Sequence, residues 1–275
     1  MASLANRRVL PGFRMSVSYT LMYLAVLIVV PLIAVLARAS SLTPADFARA
    51  VWTPQARAAY ALTFGASFIA AIIDVILGVL LAWVLVRYEF PGKRILDSLI
   101  DLPFALPTAV AGLVYSTLYA KNGWMGQFLV PLGIHAAYSR LAVVLVLVFI
   151  GLPFVVRALE PVLESLDPEL EEASACLGAS RWTTVWCVVL PHLYPAMLTG
   201  FTLTLARGIG EYGSVVFVSG NKPFETEIAP YLIVQKLEAF QYKEATAIAT
   251  VLLAASFALL IAINFLERRS ASRAT

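Results

Sequence analysis

The chain has 275 residues, of which 60% are hydrophobic and only 13% charged, with a formal net charge of +3. Soluble domains carry about 25% charged residues, so this composition excludes an ordinary soluble domain and points to a lipid bilayer. A bilayer admits only helices or closed barrels, and these apolar segments are far too long for barrel strands. One all-α, polytopic membrane domain over residues 1–275 is therefore expected.

The first apolar segment, 17–37, follows Arg7, Arg8 and Arg14. A span needs about 20 apolar residues, whereas the apolar core of a cleaved leader runs about 7–15, so this segment reads as a span. The connection SSLTPADFARAVWTPQARA carries helix-start signals at Thr43-Pro44 and Thr53-Pro54. It predicts a short interfacial helix with Phe47, Val51 and Trp52 facing the membrane. Span two, 58–86, contains one charge, Asp74, for which a partner is expected in Arg207 or a hydroxyl.

Span three, 100–120, opens on LPFALPTAVAG. Pro103 and Pro107 each remove a helical donor just before Thr108. Irregular backbone at membrane depth is tolerated where it is buried in protein or lines a wet cavity. Two readings stand: a kink at the edge of the span, or a pathway-lining element. The external connection YAKNGWMGQFLVPLGIHAAYSR then places Trp124 and Tyr138 at the interface, and span four is expected at 137–157.

A polar stretch, 164–190, separates spans four and five. Asp167-Pro168 starts a helix well, because Asp can cap free amides and Pro at the first position costs no hydrogen bond. Glu169, Glu171 and Glu172 fall in the first turns, where the helix dipole favours negative charge. Leu166, Leu170, Ala173, Ser174 and Leu177 recur at helical spacing. Gly178 ends the helix by adopting the left-handed conformation, and a second helix from Ser180 leads back toward Pro191.

Span five, 191–219, holds Arg207 and Glu211, four apart and able to pair on one helical face. Intramembrane ions are costly and mark function by default. The pair either fixes helix packing by mutual neutralisation or leaves Arg207 to line an anion pathway, with Tyr212, Gly213 and Ser214 beside it. The connection SGNKPFETEIAPYLIVQKLEAFQYKEA contains an apolar run too short to cross, which fits a re-entrant or surface helix. Span six is expected at 244–266. Short basic flanks, RYEFPGKR and ERRSASR among them, place both termini on the cytoplasmic side. The basic excess is then a matter of topology, with no nucleic-acid partner.

The segment EEASACLGASRWTTVWCVVLP, 171–191, resembles the "E-A-A, three residues, G, nine residues, I-x-L-P" loop of bacterial ABC-importer permeases. Ser174 stands for the second Ala and Val188 for Ile. GEYGSVVFVSGN followed by EIAPYLIV is similar to the T-type permease of sulfate/thiosulfate importers, as are LPFALPTAVAG, GLPFVVRALEPVLESLDPE and ATAIATVLLAASFALLIAIN. The resemblance implies a type I importer permease in the bacterial inner membrane: six transmembrane helices and a cytoplasmic coupling helix. In it, Glu171, Glu172, Ala173, Ser174 and Gly178 would dock an ATPase. It also implies a second related permease, two copies of that ATPase, and a periplasmic sulfate/thiosulfate-binding protein, all around a subunit embedded in lipid. No cofactor is expected in the chain, since the sequence has no G-x-x-x-x-G-K-[ST] phosphate loop and ATP would be bound by the partner. His135 and His192 are isolated, and no catalytic dyad or metal set is evident. GEYG-type sequence is shared with molybdate permeases, so molybdate or tungstate import is the near alternative; an ion channel or intramembrane enzyme is the distant one.

Overall fold

The computed structural model describes residues 12–274, with side chains described as far as Phe265. Arg7 and Arg8 lie outside the described residues. Among the described residues every regular element is a helix. The helices are α1 (Phe13–Ser40), α2 (Pro44–Val51), α3 (Pro54–Arg87), α4 (Lys93–Ile100), α5 (Leu102–Ala105), α6 (Thr108–Tyr119), α7 (Gly126–Leu129), α8 (Arg140–Ser165), α9 (Pro168–Cys176), α10 (Arg181–Ile209), α11 (Val215–Val218), α12 (Ala229–Glu238) and α13 (Tyr242–Ala274). Five of them, α1, α3, α8, α10 and α13, are long and apolar enough to cross a membrane.

Helix starts follow local chemistry. Thr43, Thr53, Ser139 and Ser180 each turn a hydroxyl oxygen to accept a free amide, from Asp46, Ala56, Ala142 and Thr183 at 3.0–3.2 Å. Proline occupies the first helical position at Pro44, Pro54 and Pro168, where its missing donor costs nothing.

The core is a seam of three helices, α3, α8 and α10. Ala82 and Leu85 pack with Val155, Leu159 and Leu163 at one end, and Ala66 and Ala70 with Val143 and Val146 at the other. Thus α3 and α8 run in the same direction. Helix α10 runs against them: Leu193 packs at the Leu159 end, and Ile209 beside Ala71. Two parallel neighbours require the chain between them to return along the bundle. It does so through α4, α5 and α6.

That return differs from the continuous span expected at 100–120. The helix begins earlier, at Lys93, and breaks at Asp101 and again at Leu106. Leu106 is extended (φ −85°, ψ 133°), as the clash of a residue with a following proline ring demands. Span five also departs from 191–219. Helix α10 starts at Arg181, passes through a π-type turn at Val185–Val189, and ends at Ile209. Residues 210–214 are non-helical, so Glu211 lies beyond the helix that carries Arg207.

The amphipathic helix α2 packs on α13. Its Val51 is buried and Phe47 half-buried, so only Trp52 faces outward, in contrast to the expected membrane-facing trio. The short α12 buries Ala229 and Leu232 against α3 and α13. Helix α1 buries only Ala39.

Candidate functional site

Two constructions stand out, one at the end of the bundle and one part-way along it, where α10 ends against α6. The first is α9 with its flanking turns. The Asp167 carboxylate accepts the Glu169 amide at 3.0 Å. At the other end, Gly178 (φ +83°) is the left-handed residue of a paired cap: its amide reaches Ala175 O at 2.9 Å and the Ala179 amide reaches Ser174 O at 3.1 Å.

Side chains of α9 divide into two faces. Glu171 pairs with Arg87 at the end of α3 at 2.5 Å, and Ser174 meets Thr184 Oγ1 of α10 at 2.9 Å. Arg87 also lies over the Trp83 ring, 5.6 Å from its centre. These contacts brace the helix on the bundle. Glu172, Ala173, Leu170 and Leu177 point away from it, and Leu177 is 89% exposed. Of Leu166, Leu170, Ala173, Ser174 and Leu177, the residues at helical spacing, only Leu166 is buried, because Ser174 turns its hydroxyl inward while Leu170 and Leu177 project. The sequence reading missed the Arg87 brace and the exposed Trp182 and Trp186 beside it. Trp83, Tyr88, Ala175, Arg181 and Trp182 border a cleft of about 520 Å³ under α9. Cys176 and Cys187 are free and exposed.

The second construction is where the end of α10 meets the broken α4–α6 return. Arg207, in the last turn of α10, pairs with Glu211. Glu211 Oε1 also accepts the Ser214 amide at 2.9 Å and the Ser214 hydroxyl at 2.8 Å. Glu211 is 2% exposed and Ser214 is fully buried. A Cβ on Gly213 would fall 2.2 Å from Thr108 Oγ1, and one on Gly112 would fall 2.2 Å from Ser214 O. The start of α6 is thus pressed against 213–214 at a distance only glycine permits. Of the pathway candidates, Thr108, Glu211, Gly213 and Ser214 come together with Arg207, while Pro107 precedes Thr108 as the cap of α6. Tyr212 is half-buried in the same loop.

Pro103 belongs instead to α5, whose Phe104 ring meets Phe154 of α8 at 5.0 Å, just after a break at Asp101 that is tied to α8. Arg157 of α8 forks onto Asp101 at 2.9 and 2.5 Å and reaches Asp97 at 2.8 Å and Glu160 at 2.6 Å. A planar guanidinium suits such multiple carboxylate contacts. Nothing in the sequence distinguished Arg157 from an ordinary inner-face cation.

Asp74 is fully buried and both its oxygens lack a partner, contrary to the pairing expected from sequence. Arg207 is occupied by Glu211. The nearby Thr204 hydroxyl donates to Gly151 O at 3.1 Å instead.

At the opposite end of the bundle, Glu227 in the 219–228 loop is 2% exposed. Gln55 Nε2 donates to its Oε2 at 2.8 Å, while Oε1 has no partner. Burial pushes this carboxyl above its ordinary range, with Gln55 and Lys236 acting in the opposite direction.

Residues 74–275 match the family described as binding-protein-dependent transport system inner membrane component. The chain is 50% identical over 248 residues to a probable sulfate transport system permease protein cysT of Nephroselmis olivacea, covering 90% of this chain and 87% of that one. It is 43% identical over 273 residues, 99% of each chain, to the sulfate transport system permease protein CysT of Escherichia coli (strain K12). Among solved structures, a bacterial ABC transporter involved in import of the acidic polysaccharide alginate superposes with a TM-score of 0.76 at 16% identity, covering 94% of this chain and 96% of that one. The methionine transporter MetNI in an inward-facing conformation gives 0.55 at 21% identity, covering 85% and 100%. The family model and the sulfate-permease relatives agree: the chain belongs to the inner membrane components of binding-protein-dependent transport systems.

Proposed function

We propose that this chain is a membrane-spanning subunit of an ATP-dependent importer that carries sulfate, and with it thiosulfate, across the inner membrane. One observation carries the coupling half of this reading. Helix α9 is capped at both ends, braced on α3 and α10 through Glu171 and Ser174, and leaves Glu172, Ala173 and Leu177 free. An exposed amphipathic helix held rigidly is suited to lie in a partner's groove. The substrate half is supported by relatives that are named as sulfate permeases and match nearly the whole chain.

In this reading the partner is a cytoplasmic ATPase present in two copies, one under this chain and one under a second, related permease. The α4–α6 return is the sixth crossing, and both termini lie on the cytoplasmic side with α9. A periplasmic binding protein delivers the anion to the opposite face. The chain binds no nucleotide. When ATP closes the ATPase dimer, force on α9 passes through the Glu171–Arg87 and Ser174–Thr184 contacts directly into α3 and α10. Those helices flank the Arg207–Glu211 loop, so closure below is transmitted to the breaks at membrane depth.

The test is uptake in proteoliposomes containing both permeases and the ATPase, supplied with binding protein. ATP-dependent accumulation of radiolabelled sulfate is expected, with competition by thiosulfate. Accumulation without ATP, or none with it, overturns the reading.

A further inference from the structure

We propose that the donors around Glu211 form an oxyanion site that the chain fills with its own carboxylate, and that the transported dianion enters by displacing it. The inference rests on the importer reading above. Three donors converge on one carboxylate: the Arg207 guanidinium on Oε2, and the Ser214 amide (2.9 Å) and hydroxyl (2.8 Å) on Oε1. This is the donor set that a tetrahedral oxyanion requires, a forked cation with fixed N–H and O–H groups. Glu211 supplies the acceptor oxygens that sulfate would supply.

Three features distinguish this arrangement from a packing ion pair. Glu211 is not part of α10. It sits in the non-helical segment 210–214, between Gly210 and Gly213, and can swing without unwinding the helix that carries Arg207. Exposure is also graded: Ser214 is fully buried and Glu211 nearly so, while the Arg207 side chain is 35% exposed. An arriving anion therefore meets the guanidinium first, then competes for Ser214. Finally, the loop abuts Thr108 and Gly112 of the other broken crossing, so release of Glu211 loosens the contact between the two breaks.

The tethered carboxylate solves a physical problem. Arg207 left unpaired would be an uncompensated charge on an apolar helix, which a bilayer makes costly. A tethered group keeps it neutralised between cycles at high effective concentration and lowers the fraction of binding-competent sites. Apparent anion affinity is thereby reduced, so a dianion delivered locally at high concentration occupies the site and then leaves it.

The experiment uses the full complex of both permeases and ATPase in lipid nanodiscs, without binding protein, titrated with radiolabelled sulfate. Glu211→Gln, neutral and of the same shape, is expected to bind sulfate about tenfold tighter than the native complex, as removal of a competing tethered ligand predicts. Arg207→Gln added to Glu211→Gln is expected to abolish that binding. Glu211→Asp keeps the charge but withdraws it from Arg207 and Ser214, and is expected to tighten sulfate binding to a smaller degree. This second variant carries the test if Glu211→Gln does not assemble. Unchanged sulfate affinity in assembled variants, with sulfate import by the native complex intact, overturns the displacement of Glu211 alone. Absence of sulfate import by the native complex overturns instead the reading on which it rests.

Discussion

At the scale of single residues, the chain concentrates its cost in a few charged groups buried among apolar helices. Arg207→Ala leaves Glu211 buried with only Ser214 as partner, and breaking a buried pair costs about 3–5 kcal/mol. Poor accumulation in membranes and a lowered melting temperature are expected, with the Arg207→Ala, Glu211→Ala double variant recovering both. Equal and additive effects of the two single changes would show that the pair is not coupled. The pairing was legible from sequence because the two residues stand four apart. The loop geometry was not, since a helical reading of GIGEYGS hides that Gly210 ends α10. Asp74 was misread for a related reason. Sequence identifies a buried acid but not whether candidate donors are already engaged, and here Arg207 and Thr204 both are.

At the scale of elements, caps and turns were legible because they depend on neighbouring residues. Thr53, Asp167 and Gly178 behave as their local chemistry dictates. Gly178→Val forces a branched side chain into a left-handed position, a conformation that costs L-residues about 1–2 kcal/mol. The exposed turn is expected to distort while the bundle remains assembled, so accumulation and melting stay near native while ATPase binding falls. Native ATPase capture by this variant would separate α9 from docking. The Arg87–Glu171 and Arg157–Asp101 ties were not legible, because their partners lie 84 and 56 residues apart and meet only once helices pack.

The 219–228 loop supplies a pH-dependent counterpart. The folded-state proton affinity of Glu227 is raised by burial, so the native protein holds that proton more tightly than the unfolded chain. Its stability contribution is present below the ordinary glutamate range and is lost as pH rises through the elevated value. Glu227→Gln keeps the Gln55 contact without the charge. The variant is expected to melt above the native protein at pH 8 and alike at pH 4, flattening the profile. A profile as steep as the native one would mean that Glu227 does not set it.

At the scale of the whole molecule, the direction of the helices has a consequence that no single element carries. Helices α3 and α8 are parallel, α10 runs against them, and α9 lies where α3 and α8 end. The turn 88–92, the α9 segment and the start of α10 therefore share one end of the bundle, and the loops 133–139 and 219–228 share the other. The hydropathy of the sequence made the five long apolar helices visible as segments. It could not show that one return is built from three short helices, because Pro103 and Pro107 allow a kinked span as readily as a broken one. Cys176, exposed on α9, provides a native reporter of this arrangement. In a Cys187→Ser background, a membrane-impermeant maleimide is expected to label Cys176 in inverted vesicles but not in right-side-out ones. Addition of the ATPase to inverted vesicles should protect it, since the groove that receives α9 would cover that surface. Labelling from the periplasmic face would reverse the orientation, and labelling unaffected by a bound ATPase would move the docking surface away from α9.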